Sequence, residues 1–259
     1  MTLTIGLVAL VGAADPTPAA ASSMKVVVVV GPVGSSTANY IYNARKYASQ
    51  ARSYGATVVE IYSPNATWSR VRTAAQGANV LIYLGHGNGY PSPYGAFSST
   101  SKDGFGLNAT AGAGNSNTKY FGEYYLRTYI KLAPNSVVIL NRLCYASGNS
   151  EWGAANPTKS VAIQRVDNFG AGFLRSGARA VFAEGITSAS WIIYGLFRTG
   201  RSMGTLFRGS PDFNGSYDFQ FSSTRTPGYR AWMDPRAPSR YYRSVIGNLN
   251  LLASQVRGG

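Results

Sequence analysis

The sequence predicts an α/β fold, a mostly parallel sheet with helices on both faces in three layers. Three observations carry that prediction. Lys25 to Val30 is an unbroken β-branched run, KVVVVV, the pattern of a central strand buried on both sides. Comparable apolar runs recur at 57–62, 79–84, 136–140 and 178–183. Segments of helical length separate them, and strand–helix alternation builds a parallel sheet with right-handed crossovers.

The elements follow in order. Gly31 to Thr37 turns the chain from the first strand into a helix over about 38–53, which Tyr54-Gly55 ends. TVVEIY at 57–62 is the second strand, closed by Ser63-Pro64-Asn65, and a short helix spans 67–76. NVLIYL at 79–84 is the third strand, broken by Gly85-His86-Gly87-Asn88-Gly89. Residues 88–118, rich in Gly, Ser, Asn and Ala, read as a long irregular insertion: a lid, a self-cleavage segment or a plain surface loop. A helix over 121–132 precedes the strand SVVIL at 136–140, which ends on Asn141-Arg142-Leu143-Cys144. A helix over 161–176, a fifth strand over 178–183 and a helix over 188–207 complete an α/β domain spanning 25–210. Residues 211–259 read as an Arg-, Tyr- and Pro-rich extension packed on that domain, with a terminal helix over 241–256.

A chain of 259 residues that is 45% hydrophobic and only 13% charged is globular rather than disordered. Twenty-four Lys and Arg against ten Asp and Glu leave a net charge of +14 without a basic block. That surface attracts anionic polymers nonspecifically. No base-reading motif is present, so no specific nucleic-acid partner is expected. Leu3 to Ala14 is apolar and is followed by Ala19-Ala20-Ala21, so residues 1–24 read as a secretory signal that lacks its positive leader. The chain is therefore expected to be secreted or associated with the cell envelope, with no transmembrane segment after removal of the signal.

There is one Cys and one His. One Cys forms no internal disulfide, and one of each makes no ordinary zinc site, so neither metal nor cofactor is expected. His86 follows the third strand by two residues and Cys144 follows Leu140 by four. Both thus fall at the carboxyl edge of the sheet, where α/β proteins bind ligands. A thiol there is a nucleophile once deprotonated, and an imidazole beside it can take its proton. Taken singly, Cys144 could equally be a small buried apolar residue and His86 a loop ring satisfied by backbone.

Other chemistries fit less well. The turn after the first strand lacks the Lys of a phosphate loop and the glycine pattern of a dinucleotide site. A serine hydrolase of the α/β type needs a late His and a G-x-S-x-G elbow, and no His follows His86.

Strand-His-Gly followed by strand-Cys resembles the caspase-like (clan CD) cysteine peptidases: caspases, metacaspases, gingipains, clostripain, legumain and CHAT domains. In caspases the His precedes the Cys by about fifty residues; here the separation is 58. Cys144-Tyr145-Ala146-Ser147-Gly148 adds to the likeness, as does the segment Phe173 to Val181, which is similar to a helix-to-strand block of CHAT and gingipain-type sequences. The resemblance covers about 25–190 and lacks the caspase pentapeptide. It implies a caspase-like three-layer domain and hydrolysis of peptide or protein substrates. Cys144 would be the nucleophile and His86 the acid–base, with the N–H groups of Gly87 and Cys144 holding the oxyanion.

Metacaspases and clostripain carry an Asp two residues before the Cys, tied to basic P1 residues. Arg142 stands there instead, on the same strand face as Cys144 if the strand continues. The departure suggests a pocket that disfavours a basic P1 residue and favours an acidic one, unless Arg142 pairs with a local carboxylate or caps the sheet edge. Glu184, Asp103 and Asp167 are further candidate pocket charges. The competing class is a non-catalytic α/β binding or cell-surface interaction module, a pseudopeptidase.

Overall fold

The computed structural model describes residues 24–258. The signal-like segment therefore lies outside the described residues, except Met24.

The parallel part of the sheet forms from the runs read in the sequence: β1 (Lys25–Val30), β2 (Thr57–Tyr62), β3 (Val80–Leu84), β6 (Val137–Asn141) and β7 (Ala180–Glu184). β4 (Phe105–Asn108) and β5 (Thr118–Phe121) pair with each other in a separate two-stranded ribbon. β8 (Phe219–Ser222), β9 (Arg230–Met233) and β10 (Arg243–Gly247) extend the main sheet, giving eight strands in the order β2-β1-β3-β6-β7-β10-β9-β8. The first five are parallel, and β10, β9 and β8 add antiparallel.

The two faces of β1 explain the three layers. Val26, Val28 and Val30 pack into one apolar cluster and Val27 and Val29 into another, all fully buried. The first cluster is covered by α1 (Thr37–Ser53), α5 (Ser190–Arg198), α6 (Met203–Arg208) and α7 (Ala253–Val256). The second is covered by α2 (Trp68–Ala75), α3 (Glu123–Tyr129) and α4 (Lys159–Arg175). Alternation along each strand thus feeds both faces, and each fully buried Val contributes about 1.5–3 kcal/mol of hydrophobic stabilisation.

Four expectations are corrected. The segment 88–118 is not a featureless insertion: Phe105 and Leu107 of β4 are fully buried and anchor it to the core. The helix expected over 121–132 is shorter, because Phe121 is taken into β5. The helix expected over 188–207 is two helices, parted at Thr199–Ser202 around Gly200. The expected terminal helix 241–256 is mostly absent. Arg243–Gly247 pairs with both β7 and β9, and this pairing of an otherwise open edge outweighs helical periodicity. The C-terminal extension thereby completes the same sheet.

Candidate active site

β3 and β6 are adjacent parallel strands with Leu84 opposite Asn141. His86 lies two residues beyond β3 and Cys144 three beyond β6, so both chains leave the sheet side by side at its carboxyl edge. The two loops then touch. A Cβ on Gly87 would stand 1.9 Å from the Cys144 carbonyl oxygen and 3.1 Å from its nitrogen. A Cβ on Gly89 would stand 2.4 Å from the Cβ of Tyr145. Only glycine lets the His86 loop lie against the Cys144 turn at this distance. Among the described residues, neither the Gly87 nor the Cys144 backbone N–H has an acceptor.

The His86 loop is held from below. Tyr83 points into the core from β3, and its hydroxyl lies 3.0 Å from the His86 carbonyl and 2.9 Å from that of Gly106, while accepting the Gly106 N–H at 2.8 Å. The ribbon of β4 and β5 is thereby tied to the His86 backbone.

Cys144 is half-buried on the wall of a cavity of about 500 Å³ that also takes in Tyr40, Arg142, Glu151, Trp152, Arg240 and Tyr242. Burial pushes its thiol up to about 11, with the Glu151 carboxylate adding to the rise and a backbone hydrogen bond from Trp152 opposing it. Glu151 accepts from the hydroxyls of Tyr145 and Tyr94, the latter at 2.7 Å. His86 has an exposed outer face, yet the protein packed around the rest of the ring lowers its pKa, with Glu151 pulling it back up. At neutral pH, both are therefore uncharged: a protonated thiol and an imidazole free to accept a proton. Tyr40 and Tyr120 are close enough to Cys144 for a thiolate to raise their hydroxyl pKa, after the larger effect of their own burial.

The other candidate charges divide. Arg142 is not on the strand: it follows β6 with a left-handed backbone, φ +62°, so alternation does not govern its direction. It lines the Cys144 cavity nonetheless. Its N–H donates to the Glu184 carbonyl at 2.8 Å and its carbonyl accepts from Tyr40 at 3.1 Å. Its Nε is buried without an acceptor, which costs about 1–3 kcal/mol while nothing fills that place. It pairs with no carboxylate among the described residues.

Glu184 does not reach the cavity. It is fully buried, and both its oxygens accept from Arg243 Nε at 3.1 Å while Thr187 donates at 2.7 Å. Burial outweighs the Arg243 charge and lifts its carboxyl to about 7. Its ties are those of a structural ion pair beneath the strand ends. Asp167 accepts from the backbone N–H of Thr224 at 2.9 Å and of Arg225 at 3.2 Å, and so anchors the C-terminal segment to α4. Asp103 is fully buried with φ +60°; one oxygen accepts from the Tyr90 N–H at 3.1 Å and the other has no partner.

No protein-family model matches this chain, and no curated protein matches it. Among solved structures, it is similar to the crystal structure of the Arg-specific cysteine proteinase gingipain R. The identity is 18% over 70% of this chain, with a TM-score of 0.36. The match takes in 39% of the gingipain chain, so this chain spans about two fifths of that structure.

Tyr40, Tyr120, Glu151 and Arg240 escaped the sequence reading. Each comes from a different stretch of chain, with no local motif around it. The one available signal for Glu151 was its position seven residues past the only Cys, in a loop otherwise poor in charge.

Proposed function

We propose that this chain is a cysteine endopeptidase in which Cys144 and His86 act as a pair. The observation that carries this reading is the contact between the His86–Gly87 loop and the Cys144 backbone at adjacent parallel strand ends, with Cys144 on the wall of a substrate-sized cavity. The chemistry follows from the protonation states. The Cys144 sulfur attacks a peptide carbonyl as its proton passes to the neutral imidazole of His86. The carbonyl oxygen gains the electron pair and is held by the N–H groups of Gly87 and Cys144, donors of the kind that stabilise tetrahedral intermediates. Collapse expels the amine, which takes the proton from His86 and leaves a thioester. Water then gives a proton to His86, attacks the thioester and releases the acid and the thiol.

A thiol held near pKa 11 is nearly all protonated at rest, and that single fact also suits a non-catalytic interaction module. Kinetics separates the two. Cys144→Ala is expected to abolish hydrolysis of an unstructured protein substrate, and His86→Ala to reduce it at least 10²-fold. Hydrolysis that survives Cys144→Ala would remove the peptidase reading. We also propose that the protein works outside the cell or on its envelope, as its cationic surface and signal-like start suggest. Expression with residues 1–24 in place, followed by fractionation and determination of the mature N-terminus, tests that point.

A further inference from the structure

We propose that the cavity beside Cys144 selects an acidic side chain in its substrate, with Arg142 as the residue that receives it; this rests on the peptidase reading of the same site. Three observations lead there. Arg142 and Arg240 both line the cavity, and neither guanidinium has a carboxylate or any other acceptor among the described residues. The Arg142 Nε is buried without a partner, so a donor is already withdrawn from water and unsatisfied. A substrate carboxylate against the part of the Arg142 guanidinium that lines the cavity would meet donors that have no acceptor among the described residues, and the planar guanidinium matches a carboxylate in two-pronged geometry.

The third observation is the state of Glu151, the only carboxylate lining the cavity among the described residues. Glu151 accepts from the hydroxyls of Tyr94 and Tyr145 and forms no ion pair with either arginine. The arginines are therefore left for a ligand. A basic side chain entering the cavity would meet two cations with no carboxylate free of partners. An amide of the same shape carries no charge and offers Arg142 one acceptor oxygen instead of two.

The wider surface acts in the same direction. Of the acids among the described residues, Asp103, Glu123, Asp167, Glu184 and Asp234 are buried. The outward charge of a chain with net +14 is thus overwhelmingly positive, and acidic segments are steered towards it. That steering is nonspecific. Selection at the cavity is what distinguishes Arg142 from any other surface arginine.

The test uses the full chain and a set of octapeptides that differ only at one central position: Asp, Asn, Glu, Gln or Lys. Binding is measured by fluorescence anisotropy with the Cys144→Ala protein, where no cleavage intervenes, and cleavage by kcat/KM with the unaltered protein. A further peptide carries its Asp at the end instead of the centre, which reports the nonspecific attraction. The proposal expects central Asp or Glu to bind at least tenfold more tightly than Asn or Gln, and more tightly than terminal Asp. Arg142→Gln should remove that ratio, and Arg208→Gln, remote from the cavity, should leave it. Arg240→Gln, on the exposed rim, should reduce it by about threefold and serves if Arg142→Gln does not fold. Equal binding of acid and amide, a preference for Lys, or a ratio unchanged in the Arg142 or Arg240 variant would overturn the proposal. If acidic peptides bind selectively but none is ever cut, the selectivity stands and the peptidase reading falls instead.

Discussion

The protonation state of Cys144 can be measured without interference, because it is the only cysteine in the chain. The perturbation is Glu151→Gln. In the unaltered protein the thiol titrates near 11, so about 0.1% is thiolate at pH 8, against about a quarter for an unperturbed cysteine of pKa ~8.5. A thiolate of higher basicity is also a better nucleophile. With a Brønsted coefficient of about 0.4–0.5, the gain over a pKa difference of about 2.5 is roughly 10- to 18-fold. The net expectation is reaction with a small aromatic disulfide roughly 13- to 24-fold slower than for a free cysteine at pH 8, rising tenfold per pH unit until about pH 11. The assay follows the released coloured thiol from pH 6 to 11. Glu151 disfavours the thiolate by its charge, so Glu151→Gln should move the midpoint down, while the larger effect of burial remains. A midpoint at or below 8.5 in the unaltered protein, or one that Glu151→Gln does not move, would refute this account of the resting thiol.

Three further outcomes follow from the same geometry. Gly87→Ala places a Cβ 1.9 Å from the Cys144 carbonyl oxygen, so the two loops must part; peptide hydrolysis should fall by about 10²-fold, as a displacement of about 1 Å at a reacting centre does. Tyr83→Phe leaves the Gly106 N–H and the His86 carbonyl without their shared hydroxyl, and chemical denaturation should show a loss of about 1–3 kcal/mol together with a lower kcat. Asp103 titrates near 8 in the folded chain, raised by burial, and near 3.9 when unfolded. The folded state then holds the extra proton between those values, so this group's contribution to stability falls as pH rises from about 4 to about 8. Asp103→Asn keeps the acceptor for the Tyr90 N–H and tolerates φ +60°. It should raise the melting temperature at pH 9 and leave it nearly unchanged at pH 4; equal effects at both would contradict the assignment.

The parallel half of the sheet was legible because its strands are buried on both faces and so read as apolar runs bounded by breakers. VVVVV, VLIYL and VVILN need no partner to be recognised. The turn residues after them placed His86 and Cys144 at one edge. The antiparallel half was not legible. FQFS, RAWM and RSVIG are four or five residues long and mix polar or charged residues with apolar ones. What makes them strands is pairing with β7 and with one another, a non-local effect that no window of sequence contains. Arg243 is the clearest instance: it looked like part of a helix and is instead the buried partner of Glu184 and Asp234. The same partnership withdraws Glu184 from the cavity where its position at a strand tip suggested it would be. Arg142 was placed near Cys144 by an alternation rule that does not hold past Asn141; it lines the cavity because a left-handed residue turns the chain there.

The most direct measurement is intact-mass and peptide mapping of the full chain after exposure to a peptidyl ketone bearing a leaving group and an acidic terminal residue. Attack by an engaged nucleophile adds one peptidyl group, on the Cys144 sulfur, and His86→Ala should slow that addition at least tenfold. Labelling that is absent, or that proceeds equally well without the imidazole, would contradict the pairing of these two side chains.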